Sequence, residues 1–266
     1  YQPSRGLGDV YKRQVITTDN DTVGLVLSGT NATVSENGTT STFTVRLNSA
    51  PTANVTLTLS DNDTTEVLAS PTTLTFSSGN WSTSQVITLT GVDDNVSDGS
   101  QSTLLTLTPS SSGDSKYNSS SLAQSLTTVT TDNDTVGLVL SKTTATLSES
   151  GTTDNFSVVL TSEPTANVTL TLSDNDSTEV SATPSTLSFG SGNWSVVQWV
   201  TLTGVDDNVS DDNQSVLLTL TPSSSDSKYN SSSLAQTLTV TTSDNDTVGL
   251  LVSQDSVTVD ERSGMD

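Results

Sequence analysis

Apolar and polar side chains alternate along most of this chain, and few stretches follow any other period. Phe43, Val45 and Leu47 fall on one face of an extended segment, and Val55, Leu57 and Leu59 on one face of the next. Ile87 with Leu89, and Leu105 with Leu107, continue the pattern. Period two is the signature of a half-buried strand, and no segment sustains the i, i+3, i+4 spacing of a helix. The alternation predicts strands near 23–28, 42–47, 54–60, 73–76, 85–92, 102–108 and 125–131. The polar positions are mostly Thr and Ser, which together make up 97 of the 266 residues. Such a bias can mark a disordered or glycosylated stalk. Here it alternates with Val, Leu and Ile, and β-branched Thr suits the solvent face of a sheet.

The pattern is written twice. Residues 51–63 (PTANVTLTLSDND) recur unchanged as 164–176, and 114–124 (DSKYNSSSLAQ) as 226–236, shifts of 113 and 112 residues. The difference is Gly113, an insertion that a loop absorbs at little entropic cost. A period of this length is the size of an independent domain rather than of a short solenoid repeat. Two repeats are therefore expected, 22–134 and 135–246. Residues 15–21 read as the last strand of a preceding repeat and 247–266 as the start of a further one, with Glu261 in the register of Glu36 and Glu149. Residues 4–14 (SRGLGDVYKRQ) fit neither repeat and resemble the translation of a sequencing-library adapter, so 1–14 is set apart from the fold. Both ends are expected to be cuts through a longer array.

Seven short strands per repeat predict an all-β fold: tandem seven-stranded antiparallel β-sandwiches of immunoglobulin-like shape. Aromatic residues are few. The core is expected to rest on Val, Leu and Ile with Phe43, Phe76 and Trp81, and with Phe156, Phe189 and Trp194 in the second copy.

Charge narrows the function. There are 30 acidic residues against 8 basic, a formal charge of −22. That field disfavours nucleic acid and anionic membrane surfaces and favours cations. With no Cys and no His, disulfides, thiolate or imidazole zinc sites and Ser-His or Cys-His nucleophiles are excluded. No run is long and apolar enough for a membrane-spanning helix. The Asp93-Asp94 pair stands without other catalytic machinery, so no enzyme activity is expected. Seventeen of the 18 Asn residues lie in N-x-S/T, but a chain so rich in Ser and Thr makes that a weak glycosylation signal.

The carboxylates cluster at strand ends. The loop holding Glu36, the loop before the fourth strand (Glu66), the loop after the fifth (93–98) and the end of the seventh (132–134) should meet at one tip of the sandwich. Several carboxylates in one place repel unless a cation sits among them, and calcium, which takes six to eight oxygens, is the natural occupant. The competing reading is a solvated acidic tip that serves solubility. Asp61, Asp63, Asp174 and Asp176 read as turn residues.

The order Ser35-Glu36, Leu74-Thr75-Phe76, Val92-Asp93-Asp94 and closing Asp132-Asn133-Asp134 resembles the Calx-beta domain, in the form found in adhesin-like repeats of large bacterial surface proteins. The resemblance implies a seven-stranded sandwich that binds calcium at its C-terminal tip. It implies ligands at Glu36, Glu66, Asp93, Asp94, Asp98, Asp132 and Asp134, and at Glu149, Glu179, Asp206, Asp207, Asp211, Asp244 and Asp246. Gln101 and Gln214 stand where a further acid is common, and Asn133 and Asn245 interrupt a run of three acids. Both departures imply fewer or weaker calcium ions per tip. The expected function is a calcium-stiffened spacer in a large secreted or cell-surface bacterial protein, with calcium ions and neighbouring repeats as partners. The alternatives are a calcium sensor, an adhesion module that binds a cell-surface or matrix ligand through avidity, and a stalk without metal. No aromatic or basic patch in the sequence marks a recognition face.

Overall fold

The computed structural model describes residue 16, residues 18–252, and residues 256 and 258. The adapter-like stretch and Glu261 lie outside the described residues. The described parts of 15–21 and of 247–266 form no strand.

The chain divides into two compact units, 1–94 with 99–132 and 95–98 with 133–266. The first contains β1 (Leu25–Leu27), β2 (Asn31–Ser35), β3 (Thr40–Leu47), β4 (Val55–Asp61), β5 (Val67–Ser70), β6 (Thr73–Phe76), β7 (Gln85–Gly91), β8 (Gln101–Ser110) and β9 (Gln124–Thr131). They form a four-stranded sheet, β1-β3-β7-β5, and a five-stranded sheet, β2-β9-β8-β4-β6. The second unit repeats this with β10 (Leu138–Leu140), β11 (Thr144–Ser148), β12 (Thr153–Leu160), β13 (Val168–Ser173), β14 (Val180–Thr183), β15 (Thr186–Phe189), β16 (Gln198–Gly204), β17 (Gln214–Ser224) and β18 (Gln236–Ser243). Its sheets are β10-β12-β16-β14 and β11-β18-β17-β13-β15.

All seven expected strands are present, and two short ones join them. The first expected strand ends at Leu27. After Ser28-Gly29 the chain crosses to the other sheet as β2. Likewise β5 and β6 belong to opposite sheets, divided at Pro71, which has no N–H to offer a ladder. The pairing is antiparallel except for β2 with β9 and β11 with β18, which run parallel.

Alternation does what the sequence requires of it. β7 buries Ile87 and Leu89 and leaves Val86, Thr88 and Thr90 on the outer side. Each unit has its own core, with Phe43, Phe76, Tyr117, Leu57 and Leu105 in the first and Phe156, Phe189, Tyr229, Leu170 and Leu218 in the second. Trp81 and Trp194 pack against these cores half-buried. Tyr117 was not anticipated in the core. Its hydroxyl donates to the Ser49 carbonyl at 2.8 Å and accepts from the Ser49 amide at 3.2 Å, which ties the loop before β9 to the loop before β4. Tyr229 does the same with Ser162.

Candidate metal centre

In both repeats a glutamate directly follows the second strand, and parallel pairing decides where it lands. Ser35 lies opposite Thr131 across β2 and β9, so the two strands finish at the same end and Glu36 arrives beside Asp132. The Glu36 amide donates to the Thr131 carbonyl at 3.2 Å, and the two carboxylates approach within 4.8 Å. Glu36 is only 1% exposed. Glu66 immediately precedes β5, whose Val67 pairs with Gly91 at the end of β7. Its carbonyl accepts from the Val92 amide at 3.0 Å and from the Thr130 hydroxyl at 3.2 Å. Glu66 is buried as well. Asp93 and Asp94 follow β7 at that same end, and the Gly99 amide donates to Asp132 Oδ2 at 2.6 Å. Asp98 and Asp134 fall in segments grouped with the second unit.

The second unit presents two such groups. Glu149, Glu179 and Asp211 offer carboxylate oxygens that all lie within 4.8 Å of one another, and so do Glu149, Asp207 and Asp246. Glu149 belongs to both groups. It is 1% exposed and Glu179 is 2% exposed. Glu149 Oε1, Glu179 Oε2 and Asp246 Oδ2 are buried and meet no hydrogen-bond donor among the described residues. The ion pairs of Lys116 with Asp19 and of Lys142 with Asp154 lie elsewhere. Burial, then the carboxylates of Asp244, Asp207 and Asp211, holds the Glu149 carboxyl above its ordinary range. Burial, followed by Glu149 and Asp211, does the same to Glu179. Asp246 is raised by burial and then by Asp244 and Asp206.

Asp206 and Asp244 stand beside these groups and accept hydrogen bonds. Asp206 Oδ1 accepts from the Asn245 side-chain amide at 3.0 Å. Asp244 accepts from the amides of Asp212 at 3.0 Å and Asp246 at 2.7 Å. Asn245, which interrupts the acidic run, is therefore a positioning residue. Besides holding Asp206, it turns its backbone amide toward Glu149 Oε2 at 3.4 Å. Asp207 Oδ1 caps the Val209 amide at 2.7 Å. Sequence reasoning passed over Asp212, which occupies the place of Gly99 and shares its left-handed backbone, φ 66° against 81°. Asp63 and Asp176 serve as turn residues, each accepting from a threonine amide two positions on at 3.1 Å.

Orphaned buried carboxylate oxygens that converge without a basic side chain are costly unless a cation joins them. The donor set consists of oxygen alone, which suits a hard divalent ion with flexible coordination and excludes ions that require sulfur or nitrogen ligands. The residues present fit calcium.

Fold and site thus define a tandem β-sandwich protein with an acidic, cation-accepting tip. The Calx-beta domain matches residues 18–135 and again residues 130–246, and the chain belongs to that family. Calx-beta domains are calcium-binding modules without catalytic activity. Similar solved structures include CBD12 from CALX1.2, at 15% identity and a TM-score of 0.34 over 76% of this chain and 82% of that one. The calcium binding domain CBD12 of CALX1.1 has 16% identity and a TM-score of 0.35, over 74% and 80%. Domains 4 and 5 of the S-layer protein SbsC have 11% identity and a TM-score of 0.32, over 71% and 77%. No curated protein matches the chain.

Proposed function

We propose that each repeat is a calcium-binding spacer whose metal stiffens the end of the sandwich where the chain leaves it. The observation that carries this reading is the grouping of Asp246 with Glu149 and Asp207. Asp246 lies three residues past the last residue of β18, Glu149 follows β11, and Asp207 follows β16. A cation held by these three would pin the exit segment to two separate loops of its own sandwich. Calcium supplies the positive charge that lets buried carboxylates stay ionised side by side. Glu149, Glu179, Asp207, Asp211 and Asp246 would hold it in the second repeat, and Glu36 with Asp132 supports the same role in the first.

A stalk in a large secreted or cell-surface bacterial protein is the setting that agrees with this design. Extracellular modules bind calcium at roughly 10⁻⁴–10⁻³ M, and a site with Asn245 and Gln214 where further acids could stand suits the weak end of the scale. Near-identical copies suit a spacer better than a sensor. Solution X-ray scattering of the whole chain with calcium and with chelator tests the role. The reading requires a longer, stiffer particle with calcium, and an unchanged maximum dimension defeats it.

A further inference from the structure

The outer face of β10-β12-β16 in the second repeat carries an apolar row that its counterpart in the first repeat lacks. Val139 stands opposite Val159 across β10 and β12. Trp199 stands opposite Ser157 across β12 and β16, which places the indole diagonally next to Val159 on the same face. Val197 precedes β16 and extends the row. Trp199 is 62% exposed, and Val139, Val196 and Val197 are each about half exposed. The equivalent positions in the first repeat are Val26 opposite Arg46, then Thr83, Ser84 and Val86 opposite Thr44. At four neighbouring places the second copy therefore holds a more apolar or larger residue: Val159, Val196, Val197 and Trp199.

The fold does not need this change, because the first repeat builds the same sheet without it. Val139, Val159 and Val197 around an open indole have the composition of an interface centre rather than of a sheet surface. Its occupant follows from charge and chemistry. With 30 acidic residues against 8 basic, the chain repels a second copy and any polyanion. Valines offer nothing to satisfy the hydroxyls of a sugar. A basic protein segment with an apolar anchor answers both features, its aliphatic side chain on the valine row and its Arg or Lys over the indole face. We propose that the β10-β12-β16 face of the second repeat docks such a segment, with Trp199 at its centre.

The test uses the whole chain with calcium present, at 0.15 M salt to screen diffuse attraction. A fluorescently labelled peptide of alternating Lys and Leu is titrated by anisotropy against the wild type and against the Val197→Ser/Trp199→Val variant. The variant restores the residues of the first repeat, so it keeps a known fold and an unchanged charge. The proposal expects binding about tenfold or more tighter to the wild type, the range for loss of a central tryptophan. Equal affinity for both proteins overturns it. So does wild-type dimerisation in sedimentation velocity that the variant loses, which assigns the face to a second copy. A wild-type indole shift caused by a neutral oligosaccharide but not by the peptide also overturns it.

Discussion

Gly204 lies directly beneath the carbonyl oxygen of Ser148, so close that a Cβ on the glycine would sit 2.2 Å from that oxygen. Gly91 has the same relation to Ser35, at 2.1 Å. In each repeat the last residue of a strand in one sheet thus touches the last residue of the second strand in the other, immediately before the buried glutamate. A glycine inside a strand often marks such a close approach. The obstructing atoms are backbone, so a side chain here must displace the segment that carries Glu149. Gly204→Ala should destabilise the second repeat by about 1–3 kcal/mol and weaken calcium binding at its tip. Thermal melting with chelator and calcium titration check the two effects separately.

Glu149→Gln should change sign with the metal. In chelator the substitution removes a buried charge crowded by Asp207, Asp211 and Asp244, and the variant should melt above the wild type. With saturating calcium it replaces the carboxylate common to both groups by a neutral amide, a weaker calcium ligand, and the variant should melt below. Differential scanning calorimetry under both conditions provides the comparison. A variant that is destabilised equally in both would identify Glu149 as a structural residue only.

Acid should stabilise the metal-free protein before it unfolds it. Glu149, Glu179 and Asp246 are held above the ordinary carboxylate range, by burial first and by neighbouring acids second. The folded state therefore binds more protons than the unfolded chain just above that range, and stability rises as pH falls into it. Below that range the opposite groups dominate. The Lys142 side chain holds Asp154 low, and the Thr165 and Lys228 amides hold Asp226 low in spite of its burial. Stability that rests on their ionised forms is lost as pH falls through their depressed values. With calcium bound, the ligands are kept ionised and the acid-side maximum should vanish. Melting temperature against pH, with calcium and with chelator, reads this directly, and a chelated protein that only loses stability from neutral pH downward would contradict it.

Thr103 and Thr128 oppose each other across β8 and β9. Both are buried, and neither hydroxyl finds a hydrogen-bond partner among the described residues. The second repeat places Val216 opposite Val240 at the same two positions. Each unpaired buried hydroxyl costs about 1–3 kcal/mol, so Thr103→Val and Thr128→Val should each raise the stability of the first repeat. The two changes are neighbours and their gains need not add. Chemical denaturation of the single and double variants checks the direction, and calcium affinity should not move.

Verbatim recurrence marked the repeats, and alternation marked the sandwich and seven of the nine strands of the first. The two missed strands, NATVS and VLAS in the first repeat, are only five and four residues long, too brief for a period to register. The parallel pairing of β2 with β9 could not be read, because it joins residues 96 positions apart, Ser35 with Thr131, and yet that pairing sets Glu36 beside Asp132. The acidic loops were visible as a set, but their division of labour was not. Asp206 and Asp244 turn to amide donors while Asp207 and Asp246 face Glu149. The exposed indole of Trp199 escaped notice because a strand pattern does not distinguish one outward residue from another until the sheet is assembled.

Isothermal titration of calcium into the whole chain, compared with the Glu36→Gln/Glu149→Gln double variant, tests the central claim most directly. The account predicts saturable binding by the wild type, in the range of roughly 10⁻⁴–10⁻³ M for extracellular modules, and loss of that binding in the variant. Absence of binding to the wild type, or equal binding to both proteins, would contradict it.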